Sequence, residues 1–302
     1  MRGIVRPLTC AVVLLPPLVV GCTDQSRQAQ QPKAPQEYGG PTLTMAQVVE
    51  RLNANNEPIR TLWARLDYDV SIVDEKKQPH KLLGDGVLLY AKPQELRLVG
   101  MKVGMGTVFE IGSNARDYWL KVDLPDQRKL WWGRYKNLGK ACAQEMPIPP
   151  DLILEVLAVP DLNTDLTVQP VPTMRFNREE DAYVLIWNVR APDRWLAQRE
   201  VWYDRQTLQP RRVLLYDANG RVVLRAELGE FRRVEVGGVA EERRPWVATN
   251  YRLRFPEQDS SMRIELRDVK LQNRGKPEPG TIQRPTDTGD LKVIQIDANC
   301  RD

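Results

Sequence analysis

The side chains that most often carry acid–base or metal chemistry are scarce in this sequence. His80 is the sole histidine in 302 residues, which excludes a metal site built on two or more histidines. It follows the polar stretch EKKQP, which is typical of a hairpin loop and a poor place for the base of a Ser-His-Asp triad. Carboxylates are numerous, but the sequence alone pairs no two of them across a cleft. We therefore expect no metal, no cofactor and no catalytic residue, and an enzyme is the least favoured class.

The glycines of residues 96–112, LRLVGMKVGMGTVFEIG, raise the question of phosphate binding. No Gly-Lys-Ser/Thr follows Gly104 and Gly106, and Phe109 occupies the position where a dinucleotide-binding fingerprint needs its third glycine. The stretch begins and ends like a β-strand. We expect the two glycines to form a sharp turn with positive φ that pushes Met105 outward, with Val103 beside it. The alternative is a hairpin tip whose methionine folds back onto the sheet.

The N-terminal region contains a candidate for covalent modification. Two arginines precede an uncharged apolar run that ends in LVVGC at Cys22, which is typical of an export signal. The run is too short to span a bilayer comfortably. Its ending resembles a bacterial lipobox, which implies cleavage before Cys22 and acylation of both the thiol and the new amine. We expect a signal peptide over 1–21 and a durable lipid anchor at Cys22; the alternative is an ordinary secretory signal with a chance cysteine.

The composition of residues 22–41 predicts a flexible tether, and the rest of the chain is predicted to form one domain. The tether is rich in Gln, Pro, Gly and Ser and cannot bury a core. Thr23, rather than Asp, resembles the Gram-negative pattern for retention in the outer membrane, so we expect a periplasm-facing location there. Residues 42–302 show no second linker. The formal net charge of +4 argues against nucleic acid as a partner.

Cys142 and Cys300 are the two thiols left after the signal peptide and the anchor. An even pair in an oxidising compartment can form a disulfide. The sequence cannot place their Cα atoms within bonding range, so two independent thiols stay an alternative.

The elements that must position these residues are mostly short strands. Residues 42–56 have apolar side chains at helical spacing, and the period then changes to two. Asn219-Gly220, between two apolar runs, is a strong hairpin signal. In YRLRF (251–255) and MRIELRD (262–268) apolar residues alternate with charged ones, so one face of the sheet is apolar. We interpret the arginine-rich composition as a solvated outer face.

A second helix is predicted in MPIPPDLILEVLAVP, residues 146–160. Pro149 and Pro150 suit its start and Pro160 its end. It is apolar on nearly every face, so it must be covered, most simply by the concavity of a curved sheet. We therefore predict a mainly β (α+β) fold, a single half-open antiparallel β-barrel with short helices that close or fill its concave side.

Over residues 42–302 this order of elements resembles the bacterial outer-membrane lipoprotein-handling family, which comprises the carrier LolA and the membrane-anchored receptor LolB. The stretches that carry the resemblance are GDGVLLYAKPQELRL, GSNARDYWLKV and EVWYDRQTLQPRRVLLYDANGRVVLRAEL. The lipobox at Cys22, and a glycine-flanked tip followed by Met-Pro-Ile-Pro, are more similar to the receptor. The resemblance implies a hydrophobic cavity for acyl chains, with a membrane, acylated lipoproteins or lipids, and a periplasmic carrier as partners.

The resemblance also implies roles for individual residues. Met105 takes the position of an exposed apolar residue that helps place the incoming lipoprotein into the membrane, in a loop completed by Val103, Gly104 and Gly106. We expect the cavity to be lined by Leu98, Trp119, Trp131, Trp132, Leu152 and Val156. The chain departs from the receptor in its length, its arginine content and an extra terminal strand, LKVIQID. A structural or interaction lipoprotein of the envelope, with a filled core and a partner on its arginine-rich face, is the main alternative.

Overall fold

The computed structural model describes residues 38–73, 79–125, 127–138, 140, 142–143, 146–272 and 281–300. The predicted signal peptide, Cys22 and nearly all of the predicted tether lie outside the described residues.

Two α-helices and a large set of strands make up this part of the chain. Helix α1 spans Met45–Asn56 and helix α2 spans Pro150–Leu157. The strands are β1 Thr61–Val73, β2 Pro79–Ala91, β3 Glu95–Lys102, β4 Gly106–Ser113, β5 Asp117–Leu124, β6 Gln127–Arg134, β7 Val171–Asn177, β8 Ala182–Arg190, β9 Trp195–Asp204, β10 Pro210–Tyr216, β11 Val222–Gly229, β12 Arg232–Arg233, β13 Trp246–Val247, β14 Asn250–Phe255, β15 Ser260–Gln272 and β16 Lys292–Gln295.

Fourteen of the strands form one open sheet in the order β16-β6-β5-β4-β3-β2-β1-β15-β14-β11-β10-β9-β8-β7. All its pairs are antiparallel except β16 with β6, which run parallel. The two short strands β12 and β13 pair separately. The prediction of a mainly β, half-open antiparallel fold with short helices is confirmed, and the predicted terminal strand is β16.

Antiparallel pairing places alternate connections at the same end of the sheet. The turns 103–105, 217–221 and 256–259 join β3–β4, β10–β11 and β14–β15, respectively. We call this end of the sheet the tip end.

The main core lies on one face of the sheet, which we call the inner face. Both helices pack there, α1 through Val48, Val49 and Leu52 and α2 through four buried residues: Ile153, Leu154, Val156 and Leu157. The predicted burial of the second helix against the sheet is confirmed. Helix α1 begins with a capping box, in which Thr44 and Gln47 satisfy each other's backbone N–H groups.

Two strand glycines allow aromatic rings to lie across the sheet. A Cβ on Gly100 would approach the Phe109 ring to 2.1 Å, and one on Gly112 would approach the Trp119 ring to 2.2 Å. Any larger side chain would displace these rings, so the glycines set where the aromatics pack. Phe109 is thereby held on the inner face and Trp119 on the outer face.

The sequence-based placement of His80 is wrong. The residue lies in β2, opposite Ile72 of β1, and its side chain is exposed. The alternation of buried and exposed residues in β2 already includes Leu82, which is buried on the inner face. Pro79 suggested a turn, but a proline is tolerated as the first residue of a strand.

In the structure a disulfide joins Cys142, in the segment before α2, to Cys300, after β16. Nearby, the buried Asp297 carboxylate accepts hydrogen bonds from the Arg134 backbone N–H and the Asn137 side chain, both at 2.8 Å. The terminal segment is therefore tied to the chain that leads into α2.

We expect the double substitution Cys142→Ser/Cys300→Ser to lower the free energy of unfolding by about 2–5 kcal/mol, because the disulfide restricts the unfolded chain over a long loop. The two cysteines are 158 residues apart. Urea unfolding under oxidising conditions measures the effect, and reduced wild type serves as the control. Equal midpoints for the oxidised wild type and the variant would contradict the expectation.

Candidate functional site

An apolar opening lies at the tip end of the inner face. It encloses a cavity of about 130 Å³ between β1, β4, β5, β6, the start of β15 and the segment before α2. Its walls include Ile72, Phe109, Val122, Leu124, Trp131 and Ile148. The opening can therefore accommodate apolar groups, and none of the described residues that line it carries a charge.

Deeper along the inner face, α2 fills the space. A gap of only about 10 Å³ remains between α2 and strands β2, β3, β14 and β15. Leu98 and Val156 border this gap, so the structure brings these two predicted residues together as packing partners. Leu152 is half-buried against the same core. In this conformation α2 fills this part of the inner face, with Leu98, Leu152 and Val156 among the packed residues.

The predicted tryptophans divide between the two faces of the sheet. Trp131 lies on the inner face and borders the opening. Trp119 and Trp132 pack on the outer face with Leu130, Ile282 and Leu291, so they do not line the opening. Neighbouring residues of a strand point to opposite faces, which already separates Trp131 from Trp132 in the sequence.

The glycine-flanked turn protrudes from the tip end. Gly104 and Gly106 have φ values of +80° and +74°, which other residues rarely adopt. The Met105 N–H donates to the Lys102 carbonyl at 3.0 Å and closes the turn. Val103 is 95% exposed and Met105 is 42% exposed. Val103, which was expected beside Met105, is therefore the more exposed apolar residue of the turn. We call Val103–Met105 the tip.

Polar contacts hold the C-terminal part of the α2 segment. The Asn56 side chain at the end of α1 donates to the carbonyls of Ala158 and Pro160 at 3.2 and 3.0 Å. Glu155 of α2 forms an ion pair with Arg199 of β9. No sequence pattern indicates this ion pair, because the two residues are far apart in the chain.

A second cavity of about 410 Å³ lies between α1, the end of α2 and strands β8–β10. The Arg199 guanidinium reaches its wall and stacks on the Trp187 ring at 3.8 Å from the centroid. Burial lowers the pKa of Arg199 to about 10 and raises the pKa of Tyr203 to about 12. Both groups therefore keep their usual ionisation states at neutral pH, and the cavity has a mixed polar and aromatic wall.

The fold is similar to solved structures at low sequence identity. A domain named for outer membrane lipoprotein sorting, from Vibrio parahaemolyticus, is 13% identical with a TM-score of 0.50, over 77% of this chain and 94% of that chain. A LolA superfamily protein from Nitrosomonas europaea is 14% identical with a TM-score of 0.49, over 78% and 96%. The chain therefore shares the fold of the Vibrio domain, a large open antiparallel sheet with two helices.

The fold is the only property that these similarities show. No protein-family model matches the sequence, and no curated protein matches it. No described helix is long and apolar enough to cross a membrane. Among the described residues, no three His, Cys, Asp or Glu side chains are grouped so that they could hold a metal ion.

Asp151 sits unfavourably in the first turn of α2. Its Oδ1 is buried and has no hydrogen-bond partner among the described residues. Burial raises the pKa of this carboxyl, although the backbone N–H groups of Asp151 and Leu152 partly oppose the shift. The folded protein therefore binds more protons than the unfolded chain as the pH rises above the ordinary Asp value, and stability falls through that window.

We expect Asp151→Asn to raise the free energy of unfolding by about 1 kcal/mol at pH 7, because the neutral amide avoids burying a charge. The gain should shrink below the ordinary Asp pKa of about 3.9, where the wild-type carboxyl is also neutral. Urea unfolding of both proteins at pH 7 and at a pH below the ordinary Asp pKa tests this expectation. A difference that is equal at both pH values, or a loss at pH 7, would rule out the charge as the cause.

Proposed function

We propose that this protein is an outer-membrane-anchored lipoprotein whose half-barrel binds acyl chains of other lipoproteins, or of lipids, and helps localise them to the membrane. The observation that carries the proposal is the apolar opening beside an exposed apolar tip. An acyl chain has no polar group to satisfy along its length, so an apolar wall is what its binding requires.

An acyl chain bound at the opening would have to take the place of α2. The opening measures about 130 Å³, below the range of about 300–1,000 Å³ that is common for small-molecule pockets. Helix α2 is short and mostly apolar, and prolines bound it on both sides. If α2 moves outward, the inner-face residues that it covers, including Leu98, become the continuation of the opening.

Anchoring and orientation complete the proposal. The signal peptide at 1–21 would be removed, Cys22 would carry the acyl chains, and the tether at 22–41 would link the anchor to the domain at 42–302. A tether of this length reaches roughly 25 Å, so the domain stays near the membrane surface. On this proposal the protein acts like the receptor of the LolA/LolB family and receives cargo from a periplasmic carrier.

Transfer on this scheme makes and breaks no bond. The acyl chain leaves the donor for the inner face and then leaves the inner face for the bilayer, and desolvation drives each step. Directionality requires the inner face to bind the chain more tightly than the donor does and less tightly than the membrane does.

Adjacent tryptophans offer a matched pair for testing acyl binding. We expect Trp131→Glu to weaken uptake of a fluorescent fatty acid at least tenfold, because it places a carboxylate in the apolar opening. Trp132→Glu makes the same chemical change on the outer face and should leave uptake unchanged. The test uses residues 37–302, which form one compact unit with all described elements, and thermal unfolding verifies that each variant is folded.

Uptake that is absent in folded wild type would overturn the proposal. That result would favour the second candidate, a structural or interaction lipoprotein, for which the filled gap of about 10 Å³ under α2 is the supporting observation. Equal losses in both tryptophan variants would also contradict binding at the opening.

The tip should matter for delivery and not for uptake. We expect Val103→Glu/Met105→Glu to retain acyl uptake but to lower the rate of transfer of an acylated lipoprotein to liposomes about tenfold or more, because glutamates at the tip resist entry into the bilayer. Transfer is followed by flotation of the liposomes with the labelled cargo.

The control for the tip variant adds the same charges at another turn of the tip end. Ala218→Glu/Asn219→Glu alters the exposed β10–β11 turn and should transfer cargo at the wild-type rate. A transfer rate unaffected by the tip substitutions would remove the tip from the proposal.

A further inference from the structure

Arginines stand directly opposite one another on the outer face of the sheet. Arg225 of β11 is the register partner of Arg254 of β14, and Arg252 of β14 is the partner of Arg263 of β15. Directly paired residues of neighbouring strands have Cα atoms about 4.5–5.5 Å apart, so each pair sets two like charges side by side.

These arginines surround a shallow depression of about 400 Å³. Its charged wall consists of five cations and two carboxylates: Lys81, Arg225, Arg252, Arg254 and Arg263, with Asp69 and Glu227. Arg225 forms an ion pair with Glu227 at 3.0 Å. On their other sides, Arg252 has Glu227 as its register partner and Arg263 has Asp69. Even so, among the described residues no carboxylate lies within ion-pair distance of Arg252, Arg254 or Arg263. We call these seven residues the arginine patch.

The patch differs from the remainder of the same face in its ion pairing. Farther from the tip end, Arg65 of β1 and Arg267 of β15 also stand opposite each other, but each has an acidic partner: Arg267 forms an ion pair with Asp67, and Arg65 forms one with Asp268. Like charges opposite each other destabilise a sheet. Local features that oppose stability tend to mark functional sites, and the guanidinium group suits phosphate oxygens through paired hydrogen bonds.

The patch lies near the same end of the sheet as the tip. Each of its arginines is within three residues of the tip end of its strand, a distance of about 10 Å. The tip itself is about 20 Å away across the sheet, since β2, β1 and β15 separate β3 from β14. Leu83 of β2 lies between them on the outer face and is 61% exposed.

Exposed apolar side chains beside unpaired cations match the chemistry of an anionic bilayer surface, with an acyl layer beneath a layer of phosphates. We propose that the arginine patch binds the phosphate groups of anionic lipids and so fixes the orientation in which the tip meets the membrane. This inference deepens the proposed function, because it rests on the tip contacting a bilayer.

The experiment measures partitioning of residues 37–302 onto vesicles by sedimentation. The vesicles consist of phosphatidylcholine with or without phosphatidylglycerol, and no acyl ligand is added. Each cation near an anionic surface strengthens binding about fivefold, so Arg252→Gln/Arg254→Gln/Arg263→Gln should bind the phosphatidylglycerol vesicles about a hundredfold more weakly than wild type. Neutral vesicles should not distinguish the two proteins.

A matched control removes three cations from the same face farther from the tip end. Arg65→Gln/Arg267→Gln/Lys270→Gln changes the net charge equally and should keep binding to the phosphatidylglycerol vesicles within about fivefold of wild type. Equal losses in the two triple variants would show general charge attraction and overturn the patch as a site. Unchanged binding of the patch variant would also overturn it and would leave an acidic protein as the partner to consider.

Two further readouts separate failure of this inference from failure of the proposed function. The patch variant should take up the fluorescent fatty acid as well as wild type does in the absence of vesicles. It should also unfold at a denaturant concentration close to that of wild type, because it loses two like-charge register pairs and two opposite-charge ones. Loss of uptake in wild type would instead overturn acyl binding, whatever the vesicles show.

Discussion

The packing of α2 against the inner face is the contact on which the arrangement of the site depends. An open sheet with one apolar face must be covered, since exposed apolar area costs free energy in proportion to its extent. Helix α2 has eight residues and spans about 12 Å, whereas β1 and β15 have 13 residues and span about 40 Å. One short helix cannot cover such strands. The apolar opening is the part of the inner face that α2 does not reach.

The sequence predicted the frame of this arrangement because its signals are local. Alternating residues defined the strands, Asn219-Gly220 marked a hairpin, and the prolines at 149, 150 and 160 bounded α2. The distribution of tryptophans was harder to predict. Trp119 and Trp132 were predicted to face inward because the outer face was assumed to be exposed to solvent. The C-terminal segment covers that face through Ile282 and Leu291, and nothing in the sequence placed the segment there.

On the charged outer face, the strand register decides which charged residues are neighbours. Interpreting its arginines as solvated suits Arg65 and Arg267, which have acidic neighbours. The pairing of Arg225 with Arg254 joins strands that a 20-residue connection separates, with the short β12–β13 sheet between them. Alternation identifies which residues face outward, but only the register shows which of them become neighbours. A like-charge pair is therefore a property of the assembled sheet.

The polar groups around α2 set how firmly it covers the inner face. Asn56 and the Glu155–Arg199 ion pair hold the helix in place, while the buried Asp151 carboxylate opposes its closure at neutral pH. Replacing α2 by an acyl chain exchanges one apolar surface for another, so the burial terms largely cancel. The balance then depends on these few polar contacts, each contributing about 1 kcal/mol. The polar contacts of α2 oppose one another, and an acyl chain would match its apolar contribution. Such a cover suits the proposed function, in which the site binds an acyl chain and then releases it.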